Sequence, residues 1–253
     1  MPGENMNISH KKIFALTVTA VVLFMLSMLY LIFHPFVYLN GKLVGTDESE
    51  LKLDYLNEQN RSCYGLQYFN KLRTLDISYG YEQEFRYMPD TDTLNDISLA
   101  FTAVNDPADI KALVNAERLH FLITRFNFDS FGSDNIKTMS FQSCCIENLD
   151  KHGCFPALEE LAFYNCYFDR DDFTFGLMMD KSDDTQIITD SSAFAGLDSV
   201  KRLRFDRIIF EDISGFLDME SLEEISIYNN EISDENIALL ENAGIKISKT
   251  KLQ

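Results

Sequence analysis

Apolar residues recur about every 22 residues through the C-terminal part of this chain, and this repeat constrains the fold more than any other feature. The segments LEELAFYNCYF from Leu158 and LEEISIYNNEI from Leu222 share apolar residues at positions 1, 4, 6 and 11, with Cys or Asn at position 9. Further copies, some of them weaker, begin at Leu72, Leu94, Leu119, Ile136 and Val200. Such a period indicates stacked repeats, because each repeat buries its apolar edge only against its neighbours.

The same geometry is predicted for every copy. Positions 4 and 6 point inward from a short strand, while positions 3, 5 and 7 point outward, so that stacking builds one parallel sheet. Position 9 lies where the strand turns away, and its side chain supplies hydrogen bonds to backbone groups there. Cys144, Cys166 and Asn230 occupy this position and are predicted to form a structural ladder. A Cys144–Cys166 disulfide and two buried free thiols are both compatible with this spacing.

The pattern resembles the L-x-x-L-x-L-x-x-N/C-x-L signature of the leucine-rich-repeat family, most closely at Leu158 and Leu222. The stretches that start at Ala193 and Phe216 also look like family repeats, the second resembling the short 22-residue class of bacterial surface proteins. The resemblance covers about Leu72 to Ser248. It implies an α/β fold, a curved solenoid with a parallel β-sheet on its concave face. It also favours buried free thiols over a disulfide at Cys144 and Cys166, because this position often holds a lone thiol in the family. The alternative is another β-rich fold whose strands are spaced by chance.

An uncharged run from Ile13 to Phe33 precedes the repeats and is long enough to cross a bilayer as one transmembrane helix. No small-x-small cleavage site follows it, which favours an uncleaved signal anchor. Lys11 and Lys12 before the run favour a cytoplasmic N-terminus and an extracytoplasmic C-terminal domain. The predicted organisation is a tail at 1–12, the helix at 13–33, a linker and N-terminal cap at 34–71, and repeats at 72–253, with 169–190 a degraded repeat or an insertion.

Composition and motifs argue against several functions. With 22 basic and 40 acidic side chains the net charge is −18, so phosphate would be repelled and nucleic acid is not an expected partner. The chain has no Gly-rich phosphate loop, no H-E-x-x-H and no C-x-x-C, and the aspartate clusters lack EF-hand spacing. His152 and Cys154 form an H-x-C pair without an evident orienting partner. We therefore expect no catalytic residue, no metal and no cofactor.

The predicted concave face offers aromatic and arginine side chains, the types that dominate binding energy at protein interfaces. The candidate partner-binding residues are Arg125, Tyr164, Arg202, Arg204, Arg207 and Tyr228. The register that starts at Leu119 also places Phe121, Ile123 and Phe126 on this face, although a shifted register, which is the favoured interpretation, would bury Phe121 and Ile123. An equally weighted alternative for Arg202 and Arg204 is simple pairing with Glu160 and Glu224 on neighbouring repeats.

These features predict a non-catalytic, membrane-anchored module whose concave face binds a protein or peptide. One alternative is the same domain facing the cytosol as a tethered inhibitor or scaffold. Five cysteines without an assigned disulfide suit a reducing cytosol, or an anaerobic exterior, better than an oxidising compartment. A less favoured alternative is a hydrolase that uses carboxylates of 169–190, which requires paired carboxylates and a raised pKa.

Overall fold

A computed structural model describes residues 5–33, 36–55, 62–169, 186–188, 191–229 and 232–250. The chain starts with the helix α1 (Asn5–Phe33), within which Lys12–Tyr30 is long and apolar enough to cross a membrane. A two-stranded antiparallel hairpin follows, made of β1 (Phe36–Leu39) and β2 (Lys42–Gly45). The rest of the described chain is a stack of short strands joined by turns and short helices.

Nine parallel strands form the long sheet, in which consecutive coils of the chain lie side by side. Its strands are β3 (Glu50–Asp54), β4 (Thr74–Ser78), β5 (Asp96–Ala100), β7 (Arg118–Leu122), β9 (Thr138–Gln142), β11 (Glu160–Tyr164), β14 (Arg202–Asp206), β16 (Glu224–Tyr228) and β17 (Lys246–Thr250). Each coil returns through irregular chain, which includes the helices α2 (Lys111–Asn115), α3 (Ser214–Leu217) and α4 (Asp234–Asn242). This architecture is the α/β repeat solenoid that the repeat pattern predicts.

The core lies behind the long sheet, where positions 4 and 6 of the coils from β4 to β16 are buried as the alternation predicts. Position 6 is aromatic in four successive coils, and the rings stack with nearly parallel planes. Centroid distances are 4.9 Å for Phe121–Phe141, 5.4 Å for Phe141–Phe163 and 5.9 Å for Phe163–Phe205. Each ring therefore buries its faces against the neighbouring coils, which is how a repeat protein gains stability between repeats.

A second, smaller parallel sheet forms on the return side of the early coils. Its strands are β6 (Ala103–Val104), β8 (Arg125–Asn127), β10 (Cys145–Glu147) and β12 (Tyr167–Phe168). Further along the chain, β13 (Gln186–Ile188) pairs with β15 (Ile208–Phe210) in the same parallel manner. Ile187 and Ile188, which the sequence suggests as a remnant strand, thus pair on this side and not in the long sheet.

The structure corrects the register of the third predicted copy. Leu119 pairs with Met139 and Phe121 with Phe141, so these two residues fill positions 4 and 6 and the copy begins at Ala116. The predicted step of 17 residues then disappears, and Ala116 stands 22 residues after Leu94 and 20 before Ile136. Phe121 and Phe126 are consequently buried core residues, not surface residues.

The 42-residue step between Leu158 and Val200 is explained by the pairing of β11 directly with β14, in register from Glu160 and Arg202 onward. The intervening segment adds no strand between these two. Most of that segment, 170–185 and 189–190, lies outside the described residues. The carboxylates of the hydrolase alternative therefore lie outside them too, except for that of Asp169.

Candidate protein-binding face

The outward face of the long sheet carries a row of ion pairs at position 3 of successive coils. Asp96 pairs with Arg118 at 3.0 Å, Glu160 with Arg202 at 3.3 Å, and Glu224 with Lys246 at 3.3 Å. The two residues of each pair are register partners on neighbouring strands of the sheet. Most of these side chains are partly exposed, so each pair contributes little stability, but together they hold charged groups in fixed positions.

Glu160 binds both predicted arginines of the neighbouring strand. Its Oε2 lies 3.3 Å from Nε of Arg202, and its Oε1 lies 3.0 Å from a terminal nitrogen of Arg204. The pairing alternative is thus correct for Glu160, whereas Glu224 pairs with Lys246. Because the arginine side chains remain 40% and 37% exposed, pairing positions them without removing them from the surface.

Tyr164 and Tyr228 lie beside this arginine pair at position 7. Tyr164 is a hydrogen-bond partner of Arg204, and the rings of Tyr164 and Tyr228 are 6.4 Å apart between centroids. We call Tyr164, Arg202, Arg204 and Tyr228 the arginine–tyrosine patch. All four members are partly exposed on one face of β11, β14 and β16. The structure therefore brings together four of the six residues predicted to contact a partner.

Arg207 directly follows β14. It occupies position 8, in the turn where the chain leaves the long sheet. This position has a positive φ in seven coils, at Tyr79, Phe101, Ile123, Ser143, Asn165, Arg207 and Asn229. In each case the amide donates to the strand-end carbonyl of the next coil, as from Arg207 to Tyr228. Left-handed backbone at non-glycine residues is uncommon, and here interstrand hydrogen bonds stabilise it. Asn229 also donates from Nδ2 to Asp206 at 2.8 Å.

Arg125 does not lie on the long sheet, in contrast to its predicted position. It belongs to β8 of the smaller sheet, where its Nε is 3.2 Å from Oε1 of Glu147. The reason is the register shift, because a copy that begins at Ala116 moves Arg125 from position 7 to position 10. Contact of Arg125 with a partner remains a prediction, at a location apart from the arginine–tyrosine patch.

The same shift brings to the long sheet residues that the sequence analysis missed. Arg118 and His120 are now positions 3 and 5 of their coil, and His120 Nδ1 lies 2.8 Å from Oγ of Ser140. Towards the N-terminal end, Tyr79 and Phe101 stack at 4.4 Å and help to line a cleft of about 440 Å³. A correct start at Ala116 would have revealed Arg118 and His120, but Ala is too small to stand out as a repeat position.

Position 9 forms a ladder of hydrogen bonds through the core. Thr124 Oγ1 donates to the carbonyls of Leu99 and Leu122, and Cys144 Sγ donates to those of Phe121 and Gln142. Cys166 repeats the arrangement one coil later, with contacts of 3.3 Å to Phe141 O and 3.5 Å to Tyr164 O. Both cysteines are free thiols with a structural role, while Asn230 lies outside the described residues.

The shifted pKa values of Cys63, Cys144 and Glu224 fit structural groups rather than catalytic ones. Burial raises the pKa of Cys63 to about 12 and raises the pKa of Cys144 as well, so neither thiol ionises readily at neutral pH. A hydrogen bond from Ser248, followed by the Lys246 ammonium, lowers the pKa of Glu224. A general acid in a hydrolase needs a raised pKa, which is the opposite shift.

His152 of the H-x-C pair is held by the backbone. Its two ring nitrogens face the carbonyls of Gly153 and Ala195, at 2.6 and 3.2 Å.

Within the described part of the chain, no three His, Cys, Asp or Glu residues are placed to hold a metal ion. Asp90 instead contacts Lys111 and Asn115, and Asp96 contacts Arg118. The arrangement on the long sheet is therefore a surface of ordered polar and aromatic side chains. What such a surface can do is recognise a complementary surface.

Neither protein-family models nor curated proteins match this chain. Among solved structures, internalin C2 from Listeria monocytogenes strain 4b F2365 is similar over 80% of both chains, with 19% sequence identity and a TM-score of 0.52. A second internalin, InlF from the same strain, covers 84% of this chain and 86% of its own at 12% identity, with a TM-score of 0.28. Internalins are leucine-rich-repeat proteins. The similarity to internalin C2 and the repeated parallel strands show the fold of a leucine-rich-repeat solenoid.

Proposed function

We propose that this chain is a membrane-anchored, non-catalytic module of the short 22-residue leucine-rich-repeat class, which binds a protein or peptide partner on the concave face of its long sheet. The arginine–tyrosine patch is the observation that carries the proposal. It combines two arginines and two tyrosines, which are enriched among the residues that contribute most to binding at protein interfaces. Glu160 orients both arginines before binding, which lowers the entropy lost when a partner binds.

A carboxylate-bearing partner fits this patch best. Each guanidinium uses only part of its donors for Glu160, and a second carboxylate can accept from the remaining donors. The tyrosine rings beside them supply apolar area with a polar hydroxyl end. The net charge of the chain is −18, so an acidic partner is attracted only locally, at this patch. Contact would then be specific in position and sensitive to salt.

The anchor in this proposal is the helix that contains Ile13 to Phe33, with a short cytoplasmic tail before it and an extracytoplasmic solenoid after it. Support comes from the stretch Lys12–Tyr30, which has a mean hydropathy of 2.3 and whose described side chains are not covered by the rest of the protein. Lys11 and Lys12 precede the uncharged run that starts at Ile13, in agreement with the positive-inside rule.

Photo-crosslinking tests the binding face in the full-length protein within its own membrane. A benzophenone side chain replaces Tyr228 on the long sheet or, as a control, Leu239, which is 47% exposed on α4. The proposal expects one discrete crosslinked partner from the Tyr228 position and none from the Leu239 position. The same yield of the same product from both positions would show that the long sheet is not the contact surface.

A second candidate, the cytosol-facing scaffold, is favoured by one observation: all five cysteines are free, and a reducing compartment keeps thiols in that state. Cys154 is exposed and the other four are buried, so it provides a specific probe of topology. A membrane-impermeant maleimide should label intact cells through Cys154 if the solenoid is extracytoplasmic, and a Cys154→Ser variant should remain unlabelled. Labelling of Cys154 only after the membrane is opened would support the cytosolic scaffold instead.

A further inference from the structure

The hairpin of β1 and β2 presents three large apolar side chains to its surroundings. Phe36 is 51% exposed, Tyr38 is 71% exposed and Leu43 is 68% exposed, whereas Val37 and Leu39 on the opposite face are buried. Tyr38 and Leu43 are register partners, so their side chains lie side by side on that face. A contiguous apolar group on a small hairpin is an interaction surface more often than an accident of composition.

This hairpin lies at the end of the candidate membrane helix. Only two residues separate Phe33 from Phe36, a span of at most ~11 Å for three peptide steps. The Tyr30 hydroxyl, in the last turn of the helix, donates to the carbonyl oxygen of Phe36 at 3.1 Å. If the helix spans a bilayer, the hairpin is held at the depth of the lipid headgroups.

A third exposed aromatic residue belongs to the same region. Tyr64 is 58% exposed, and its pKa is raised first by a hydrogen bond with Tyr68 and, further down, by the nearby phenols of Tyr87 and Tyr30. The next residue, Gly65, packs directly against the hairpin, where a methyl group on its Cα would lie 3.2 Å from Cβ of Val37. Tyrosine is enriched at membrane interfaces because its ring is apolar and its hydroxyl remains hydrated.

The charge of the hairpin differs from that of the rest of the protein. The ten residues from Phe36 to Gly45, FVYLNGKLVG, include one lysine and no acidic residue, in a chain with 40 acidic residues. Lys42 is exposed at the turn end of β2, where it is the register partner of Leu39 on the other face of the hairpin. A lysine stem can lie along apolar surface while its ammonium reaches lipid phosphates. Apolar side chains next to a single basic residue are typical of segments that lie in the membrane interface.

We propose that Phe36, Tyr38 and Leu43, extended by Tyr64, form a lipid-binding collar that lies in the headgroup region and fixes the solenoid on the bilayer surface. The occupant of this apolar face is the lipid surface itself. This inference rests on the membrane anchor of the proposed function and adds to it an orientation. The first strand of the long sheet, β3, follows the hairpin closely, so the N-terminal coils lie nearest the membrane and the arginine–tyrosine patch lies further out.

The absence of tryptophan from the chain allows a direct test with single-tryptophan variants. The full-length variant Tyr38→Trp is reconstituted in phosphatidylcholine vesicles, with or without lipids brominated near the headgroup end of the acyl chain. We expect blue-shifted emission that the brominated lipid quenches roughly twofold, because an interfacial ring lies ~5–10 Å into the headgroup and acyl boundary. Leu43→Trp should behave in the same way. The matched control Leu239→Trp, exposed on α4, should emit as in water and remain unquenched.

A third variant, Phe24→Trp in the middle of the helix, separates this inference from the anchor when it is measured in vesicles whose lipids are brominated near the end of the acyl chain, since only these bromine atoms lie near the centre of the bilayer. Quenching at Phe24→Trp without quenching at Tyr38→Trp overturns the collar and leaves the anchor intact. No quenching at Phe24→Trp overturns the anchor and the collar together. Blue-shifted emission from Tyr38→Trp that brominated lipid does not affect would show that protein, such as a second copy of this chain, covers the hairpin, and this also overturns the proposal.

Discussion

The Sγ atom of Cys144 lies 3.4 Å from the carbonyl oxygen of Phe121, one coil earlier in the chain, and donates a hydrogen bond to it. Phe121 O lies in the buried core, where water cannot replace a missing donor. The same thiol also reaches the carbonyl of Gln142. A cysteine thus links two neighbouring coils through a hydrogen bond. It stands at position 9, where the leucine-rich-repeat signature has Asn or Cys.

Cys144→Ala removes this donor, and we expect the free energy of unfolding to fall by about 1–3 kcal/mol because the buried carbonyls lose a partner. Cys144→Thr should cost less, since Thr124 makes the equivalent bonds one coil earlier. Urea unfolding of the full-length protein measures both. Equal losses for Ala and Thr would mean that side-chain shape, and not the hydrogen bond, determines stability at this position.

Phe163 is the centre of the aromatic stack, between Phe141 and Phe205. We expect Phe163→Ala to lower the free energy of unfolding by about 3–5 kcal/mol, because it removes a fully buried ring and leaves a cavity between coils. Phe163→Leu should lose less because it refills part of that volume. The exposed control Leu239→Ala should change stability by about 0.5 kcal/mol or less. A loss at Phe163→Ala no larger than the control would contradict the stacked core.

Glu224 couples the last two strands of the long sheet to pH. Ser248 Oγ lies 2.7 Å from its Oε1, and Lys246 Nζ lies 3.3 Å from the same atom. These contacts lower the pKa of Glu224, so the stabilisation is present above the usual carboxyl pKa and is lost as pH falls through the lowered value. Glu224→Gln should therefore be less stable than wild type at about pH 7, and the difference should shrink towards about pH 3.

Thermal unfolding over this pH range gives the measurement. Glu241→Gln, on an exposed position of α4, controls for the loss of one negative charge. A difference between wild type and Glu224→Gln that stays constant, or grows, on acidification would contradict the role assigned to the Ser248 and Lys246 contacts.

The sequence pattern was sufficient to predict the long sheet wherever large residues occupy the repeat positions. Leu158, Leu161 and Phe163 lie where predicted, because their large apolar side chains favour a single register. The copy at Ala116 was missed because Leu119 and Leu122 imitate positions 1 and 4, while the true first position holds only a methyl group. Apolar periodicity identifies inward positions by size, so a small residue at one of them shifts the predicted register by three residues.

The candidate site followed from that register. Arg202, Arg204, Tyr164 and Tyr228 share the outward face because the copies at Leu158, Val200 and Leu222 are correct. Arg125 does not lie on this face, because the register predicted for the copy at Leu119 is wrong. The sequence could not predict that Glu160 binds both arginines, because this contact depends on side-chain rotamers and on the pairing of two strands that are separated by a 42-residue step. The exposed face of the hairpin was likewise invisible, because alternation alone does not say which face the solenoid covers.

Charge reversal on the long sheet tests the central claim most directly. The full-length double variant Arg202→Glu plus Arg204→Glu, with the crosslinker at Tyr228, is compared with Lys111→Glu plus Lys151→Glu, which makes the same change of charge away from this face. The account predicts a loss of crosslinked partner of roughly tenfold or more in the arginine variant alone, as expected for central interface residues worth ~2 kcal/mol. Equal recovery of the same partner from both variants would contradict it.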